Sequence, residues 1–397
     1  MATPTSGGPG ARAFWILAAA AGAMLVVALA AAHYMEVEGH VVTGMNNQVV
    51  WGTPHVFAIF LIVAASGALN VASVGSVFGE AAYKPHAPLS VLLAIALLAG
   101  GLMILVLDLG RPERLVVAAT HYNFRSIFAW NMILYNGFLA IAAVYLWTLL
   151  ERRLNRLAKP VGFAAFAWRL ILTTGTGSIF GFLVARQAYA SGVIAPLFIA
   201  LSLAWGLAAH VLAQWGLARG DGQAMAPELL ARVRRLLAIF LIAALYFVAV
   251  HHLTNLYWAR QWAFERFLLV DGAPYPALFW VGYVLLGSLV PVAVLLHPRL
   301  AGPRATAVAA LLAVAGAFAL LYVFIVGGQA FPLEIFPGYA VKSDFADGAV
   351  AAYAPSLPEI LLGLGGVAAA FLLTLVGARV LDVLPRGGAP AASRAPG

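Results

Sequence analysis

Six polar side chains fall where an otherwise apolar chain holds few: His55, Asp108, Arg111, Asn131, Arg186 and Gln187. A carboxylate, an imidazole, amides and guanidinium donors together can exchange protons with a ligand and hydrogen-bond its carbonyl oxygens, with no covalent intermediate. Asp108 is the sharpest of the six. It sits in the last turn of a predicted helix, where the helix dipole disfavours an anion. One reading makes it part of a capping turn. In Asp108-Leu-Gly-Arg-Pro112, Gly110 supplies a left-handed stop, Pro112 blocks continuation and Arg111 neutralises the acid. The other makes it a proton-exchanging acid tuned by Arg111 or Arg186. Arg186 reads either as a bidentate partner of Asp108 or as an interfacial anchor that snorkels. His55 follows Pro54 at a helix start and, like Gln187, offers a hydrogen bond to a ligand carbonyl or simply faces the headgroups. Trp130, Asn131 and Tyr135 fit an interfacial aromatic belt with an interhelical hydrogen bond, or a binding wall.

The elements that position these residues follow from composition. Of 397 residues, 63% are hydrophobic and 10% charged, well beyond the roughly 45–50% apolar share of soluble domains. A helix needs about 20 apolar residues to cross a hydrocarbon layer about 30 Å thick. Ten such runs are predicted: 13–33, 54–78, 89–109, 127–150, 168–189, 195–217, 236–257, 277–297, 305–328 and 358–381. The expected fold is therefore an all-α integral membrane protein of ten transmembrane helices. Helices two to five and six to nine would form two four-helix bundles, with one flanking helix at each end of the chain. Their charged residues, Asp108, Arg169, Arg186, Glu359 and Arg379, all lie near span ends, which leaves the interiors free of fixed charge. Residues 1–387 read as a single polytopic domain, with disordered tails at 1–10 and 388–397. The first apolar run exceeds the length of a signal peptide core, so cleavage is not expected.

Alternation of the spans brings His55, Asp108, Asn131, Arg186 and Gln187 to one side. Fifteen of the 23 Lys and Arg lie at the N-terminus, in the even-numbered loops or at the C-terminal flank, and six in the odd-numbered loops. The positive-inside tendency then makes both termini cytoplasmic and puts the polar convergence on the outer side. The same asymmetry accounts for the net charge of +8 through anionic inner-leaflet lipid rather than nucleic acid. With no cysteine in the sequence, neither an iron–sulfur cluster nor a c-type haem can be carried covalently. A b-type haem would need His210 paired with His251 or His252. A secondary transporter would need broken helices with midplane polar groups, and these spans read as mostly intact.

Three motifs give the chain a family resemblance. Trp51-Gly-Thr-Pro-His-Val-Phe57, Asp108-Leu-Gly-Arg-Pro112 and Gly328-Gln-Ala-Phe-Pro-Leu-Glu-Ile-Phe-Pro-Gly338 resemble the NrfD/PsrC family of polysulfide-reductase-type membrane subunits. Segments 44–51 and 121–126 look most like the DsrP-type subgroup, which belongs to a sulfite-reductase-associated complex. The resemblance implies a bacterial cytoplasmic (inner) membrane subunit that exchanges electrons between a quinone, menaquinone or ubiquinone, and an iron–sulfur subunit docked on the periplasmic face, in sulfur-compound metabolism. It also implies a quinone pocket in the first four-helix unit near the outer face, where the polar residues converge. A tyrosine expected to touch quinone has no clear counterpart at Ser178-Ile-Phe180. Asp108 and Arg186 are accordingly expected to do the proton chemistry, and His55, Arg111, Asn131 and Gln187 to hold the quinone, with no metal ligand among them.

Reporter fusions check the orientation. A fusion after Gly387 should be active only in the cytoplasm, and one within 340–352 only outside; the opposite pattern would invert the assignment.

Overall fold

Each element here is helical because a chain in hydrocarbon must satisfy its backbone amides within the segment. The computed structural model of the chain describes residues 10–218, 225–333 and 348–385. Apart from Gly10, the expected disordered tails lie outside these residues, as do positions 334–338 of the third motif and Lys342. Among the described residues there is no β-strand. Ten long helices succeed one another: α1 Ala11–Glu38, α2 Thr53–Ser76, α3 Ala81–Leu107, α4 Ile127–Leu150, α5 Ala158–Gly181, α6 Ile194–Leu217, α7 Pro227–Tyr257, α8 Tyr275–Leu296, α9 Pro303–Ala330 and α10 Leu357–Val380. All but α5 are long and apolar enough to cross a membrane. At 24 residues α5 has the length, but Lys159, Arg169 and three threonines lower its apolarity. It still traverses its bundle antiparallel to α4. Asn131 at the start of α4 bonds Gly175 near the end of α5, and Tyr145 near the end of α4 packs on Gly162 near the start of α5.

The fifth helix corrects the expected span 168–189. It begins ten residues earlier, at Ala158, because Pro160 sits in the first turn, where its missing N–H breaks no bond. Beyond Gly181 the chain turns instead of continuing. Arg169 therefore lies mid-helix and 3% exposed, so the interior is not free of charge. Its guanidinium donates to Asn70 Oδ1 at 2.7 Å and to the Ser66 carbonyl at 3.1 Å on α2. Arg186, in turn, belongs to the connection between α5 and α6 rather than to a helix end.

Helices α2 to α5 pack as one four-helix unit and α6 to α9 as a second, and the two meet chiefly along α2 and α6. That seam depends on glycine. A side chain at Gly67 would fall onto the Ser202 carbonyl, and one at Gly206 onto the Gly67 backbone. Such close approach supplies the packing that holds helices together where lipid is as apolar as they are. Helix α1 packs on α10, which in turn packs on α2 and α3. Three spans depart from the regular form expected. α2 is interrupted at Leu69, α8 is wound as π-helix over Leu278–Leu289, and α9 over Val323–Gly327.

Gly67→Val should therefore wedge the two units apart. Overpacking costs about 1–3 kcal/mol, which should lower the Tm in detergent. Gly192→Val, with nothing within 4 Å of the added Cβ, is the control and should leave the Tm unchanged.

Candidate functional site: a cavity backed by a histidine–aspartate–histidine chain

Between α1 and α2 the chain makes a short 3-10 turn, His40–Val42, and then runs without helix to residue 52, and two buried side chains hold it at one end of the first unit. Glu359, fully buried in the first turn of α10, accepts from the Gly44 N–H at 2.8 Å, the Ser356 N–H at 2.8 Å and the Tyr353 hydroxyl at 2.6 Å. The Tyr353 oxygen also accepts the Thr53 N–H at 2.6 Å, which ties the start of α2 to the same carboxylate. Burial, with the neighbouring carboxylate, pushes the Tyr353 pKa up and keeps its hydroxyl a donor. Gln329, fully buried near the end of α9, does the same for residues 50 and 51. Its oxygen accepts both their N–H groups at 3.1 Å, and its amide donates to the Trp51 and Ile325 carbonyls at 2.9 and 2.8 Å. Arg186 completes this clamp, donating to the Gln48 carbonyl at 2.7 Å and the Gln329 carbonyl at 3.2 Å.

The pinned segment carries two side chains that reach the site, His40 and Trp51. Trp51 stacks over His55, with ring centroids 6.1 Å apart, and takes the edge of Phe180 at 5.5 Å. Beneath them lies a cavity of about 700 Å³, apolar on most sides, whose polar lining includes His55, Asp108, Arg111, Asn131 and Tyr135. Its volume is in the range of small-molecule sites, roughly 300–1,000 Å³.

Asp108 closes the polar end. Helix α3 stops there, and Gly110 takes the expected left-handed conformation at φ 67°. A side chain at Gly110 would meet the His40 ring at 2.9 Å, so the stop also makes room for that imidazole. The Asp108 carboxylate is almost wholly buried, at 1% side-chain exposure. His55 Nδ1 lies 3.2 Å from one oxygen and His40 Nε2 3.6 Å from the other. Both are ion-pair contacts rather than well-directed hydrogen bonds. The His40 side chain is 35% exposed, and the carboxylate beside it raises its pKa above the ordinary histidine value. The sequence is thus folded into a line, His55–Asp108–His40, running from the cavity wall to a partly exposed imidazole. His55 uses Nδ1 toward Asp108, which leaves Nε2 for a ligand.

Of the six side chains singled out in the sequence, the structure gathers His55, Asp108, Arg111 and Asn131 around the cavity. Asn131 spends its amide on the Ile127 and Gly175 carbonyls at 2.9 and 3.0 Å, while its buried Oδ1 has no hydrogen-bond partner. Arg186 and Gln187 are not in the cavity lining. The expected Asp108–Arg186 pair is replaced, because Arg186 lies past the end of α5 and is occupied by carbonyls of two other segments. Nor does Arg111 neutralise Asp108; among the described residues the carboxylate's ion-pair partners are the two histidines. His40 was missed, since a histidine in a loop carries no periodicity to mark it. Gln329 was visible only as a letter of the third motif. The histidines that a b-type haem would have needed lie apart. His210 on α6 neighbours His86 near the start of α3, whereas His251 lies beside His252 and Asn255 near the end of the antiparallel α7. At about 1.5 Å of rise per residue they sit several turns apart along the bundle, too far to share an iron.

Residues 41–333 match the protein family described as polysulphide reductase, NrfD. The chain is 27% identical over 86% of its length, and 87% of the relative's, to the Hdr-like menaquinol oxidoreductase integral membrane subunit of Archaeoglobus fulgidus. It is 29% identical over 91% of its length, and 89% of the relative's, to a putative dimethyl sulfoxide reductase membrane subunit of Halobacterium salinarum. Over 64% of its length, and 68% of the relative's, it is 22% identical to a selenate reductase subunit of Mesobacillus selenatarsenatis.

Gln329→Leu keeps the volume but orphans two N–H groups and two carbonyls. Each lost bond is worth about 0.5–1.5 kcal/mol. The amides of Val50 and Trp51 should exchange hydrogen at least about tenfold faster, while amides in the middle of α3 should not change.

Proposed function

The chain belongs to the NrfD family, and from that premise we propose that it exchanges electrons and protons with a membrane quinone on behalf of a multi-subunit oxidoreductase. Membership and the apolar helices make it a multi-pass membrane subunit of such a complex. The observation that carries the quinone reading is the apolar cavity of about 700 Å³ with a carboxylate-backed imidazole at its polar end. An unpartnered, buried Asn131 Oδ1 able to accept from a hydroxyl, and aromatic walls from Trp51 and Phe180, fit a quinol head group with its apolar tail along the aliphatic side.

A bound quinol supplies two electrons and two protons as it becomes quinone. His55 receives a head-group proton at Nε2 and releases the one on Nδ1 to Asp108 Oδ2, 3.2 Å away. The protonated Asp108 carboxyl reorients to give that proton to His40 Nε2, and His40 releases its Nδ1 proton to water. A second passage along the same line carries the second proton. The reverse sequence serves quinone reduction. Arg111 and Arg114 also line the cavity, and Arg111 would help hold the head group there. The electrons leave the chain, because it contains no cysteine to hold a cluster. We assign them to an iron–sulfur subunit on the outer face of a bacterial inner membrane, with menaquinone or ubiquinone as the pool. Segments 44–51 and 121–126 support a setting in sulfur-compound metabolism, and residues 1–387 would act as one polytopic domain.

Asp108→Asn in the purified, assembled complex should cut quinol-dependent turnover by about 10²- to 10⁴-fold, the usual worth of a positioned proton-transfer group. Normal turnover with intact assembly would remove Asp108 from the chemistry. In the quinol-oxidising direction His40 must be neutral to accept a proton. Turnover should therefore rise with pH through a step lying above the ordinary histidine pKa of about 6.5, and His40→Gln should abolish that step. A pH profile unchanged in His40→Gln would take the exit away from it.

A further inference from the structure

At the other end of α2 from His55, a groove of about 350 Å³ runs between the end of α2, the 80–86 connection and the first turns of α7. Val74, Leu236 and Ile239 form apolar walls, and Glu80, Arg232 and Arg235 stand at the rim. Arg232 donates to Glu80 at 3.0 Å, with both side chains more than half exposed. Arg235 lies three residues further along α7, on the same face. No hydrogen bond or ion pair to it is formed among the described residues. Arg234, between the two, turns the other way. It is buried and donates to the Val294 and Leu295 carbonyls in the last turn of α8 and to the Leu300 carbonyl in the turn after it. The rim thus holds two guanidinium groups against one carboxylate. Ile239, exposed on the surface of the bundle, leaves the apolar wall open on that side.

We propose that this groove binds one anionic glycerophospholipid. Its phosphate would sit between Arg232 and Arg235, with the planar Arg235 guanidinium forking onto two phosphate oxygens. The first carbons of an acyl chain would follow Val74, Leu236 and Ile239. A free phosphate makes no use of those walls, and a zwitterionic headgroup would set its own cation against the two arginines. Basic recesses between helices at the membrane surface recognise anionic headgroups in this way. The groove is built by α2 of the first four-helix unit and α7 of the second, so an occupant joins the two units on the side away from the cavity. None of this depends on the quinone reading.

The test uses the full-length protein in its complex, purified in detergent and washed free of lipid. Thermal unfolding is followed with added phosphatidylglycerol, phosphatidylcholine or sodium phosphate. Phosphatidylglycerol should raise the Tm saturably, and the other two should not. Arg235→Gln removes no bond from the lipid-free protein, so its unliganded Tm should match the wild type. The apparent affinity for phosphatidylglycerol should fall about tenfold, the order expected for one charge-assisted contact. It should fall further when Arg232→Gln is added, and Arg235→Lys should keep part of it. Equal stabilisation by phosphatidylcholine, or an unchanged phosphatidylglycerol affinity in Arg235→Gln, would overturn the proposal. Equal stabilisation by sodium phosphate would assign the groove to a free anion and overturn it as well.

Discussion

Backbone that is not helical can lie at membrane depth only when protein groups replace the water it lacks. The same need is met in the 43–52 segment by two buried side chains, Glu359 and Gln329, each of which answers several backbone or hydroxyl groups at once. They come from α10 and α9, far along the chain. The cavity in the first unit therefore depends on elements outside that unit. Without them the segment would have neither a reason to fold inward nor a way to press Trp51 over His55.

The identity of the partners around Asp108 has a chemical consequence. An arginine beside the carboxylate would hold a permanent positive charge and keep the acid ionised. Histidines can lose or gain a proton near neutral pH. Two of them, one against the cavity and one partly exposed, place Asp108 between two titratable imidazoles rather than beside a fixed cation. Arg186 serves the geometry instead. Its guanidinium joins residue 48 to residue 329 and so steadies the wall that carries Trp51.

Away from the cavity, buried polar groups serve mainly to set helix positions. Arg169 fixes α5 against α2 through Asn70 and Ser66, and the adjoining Thr173–Ser66 bond of 2.6 Å extends that contact. On the other side of α2, Gly67 and Gly206 allow backbone-to-backbone approach with α6. One helix is thus registered by polar contacts on one face and by close packing on another. His55 and Thr53 sit at the end of that helix, so the placement of the site inherits its rigidity.

Composition and periodicity alone determined the helical membrane class, because 63% hydrophobic residues in runs of spanning length leave a chain no other way to satisfy its amides. Local rules also determined the stop at Gly110, since a left-handed residue followed by proline admits few other conformations. The alternation of spans was enough to bring His55, Asp108 and Asn131 to one end. The fifth helix was misplaced because its charge and threonines blur the hydropathy edge that marks a boundary, and the error carried Arg169 and Arg186 to the wrong depths. Only the tertiary structure decided which groups meet. The His40–Asp108 contact joins a loop to a helix end, and the Glu359–Gly44 bond spans most of the chain. Such partners share no sequence period, and their pairing is set by how ten helices pack.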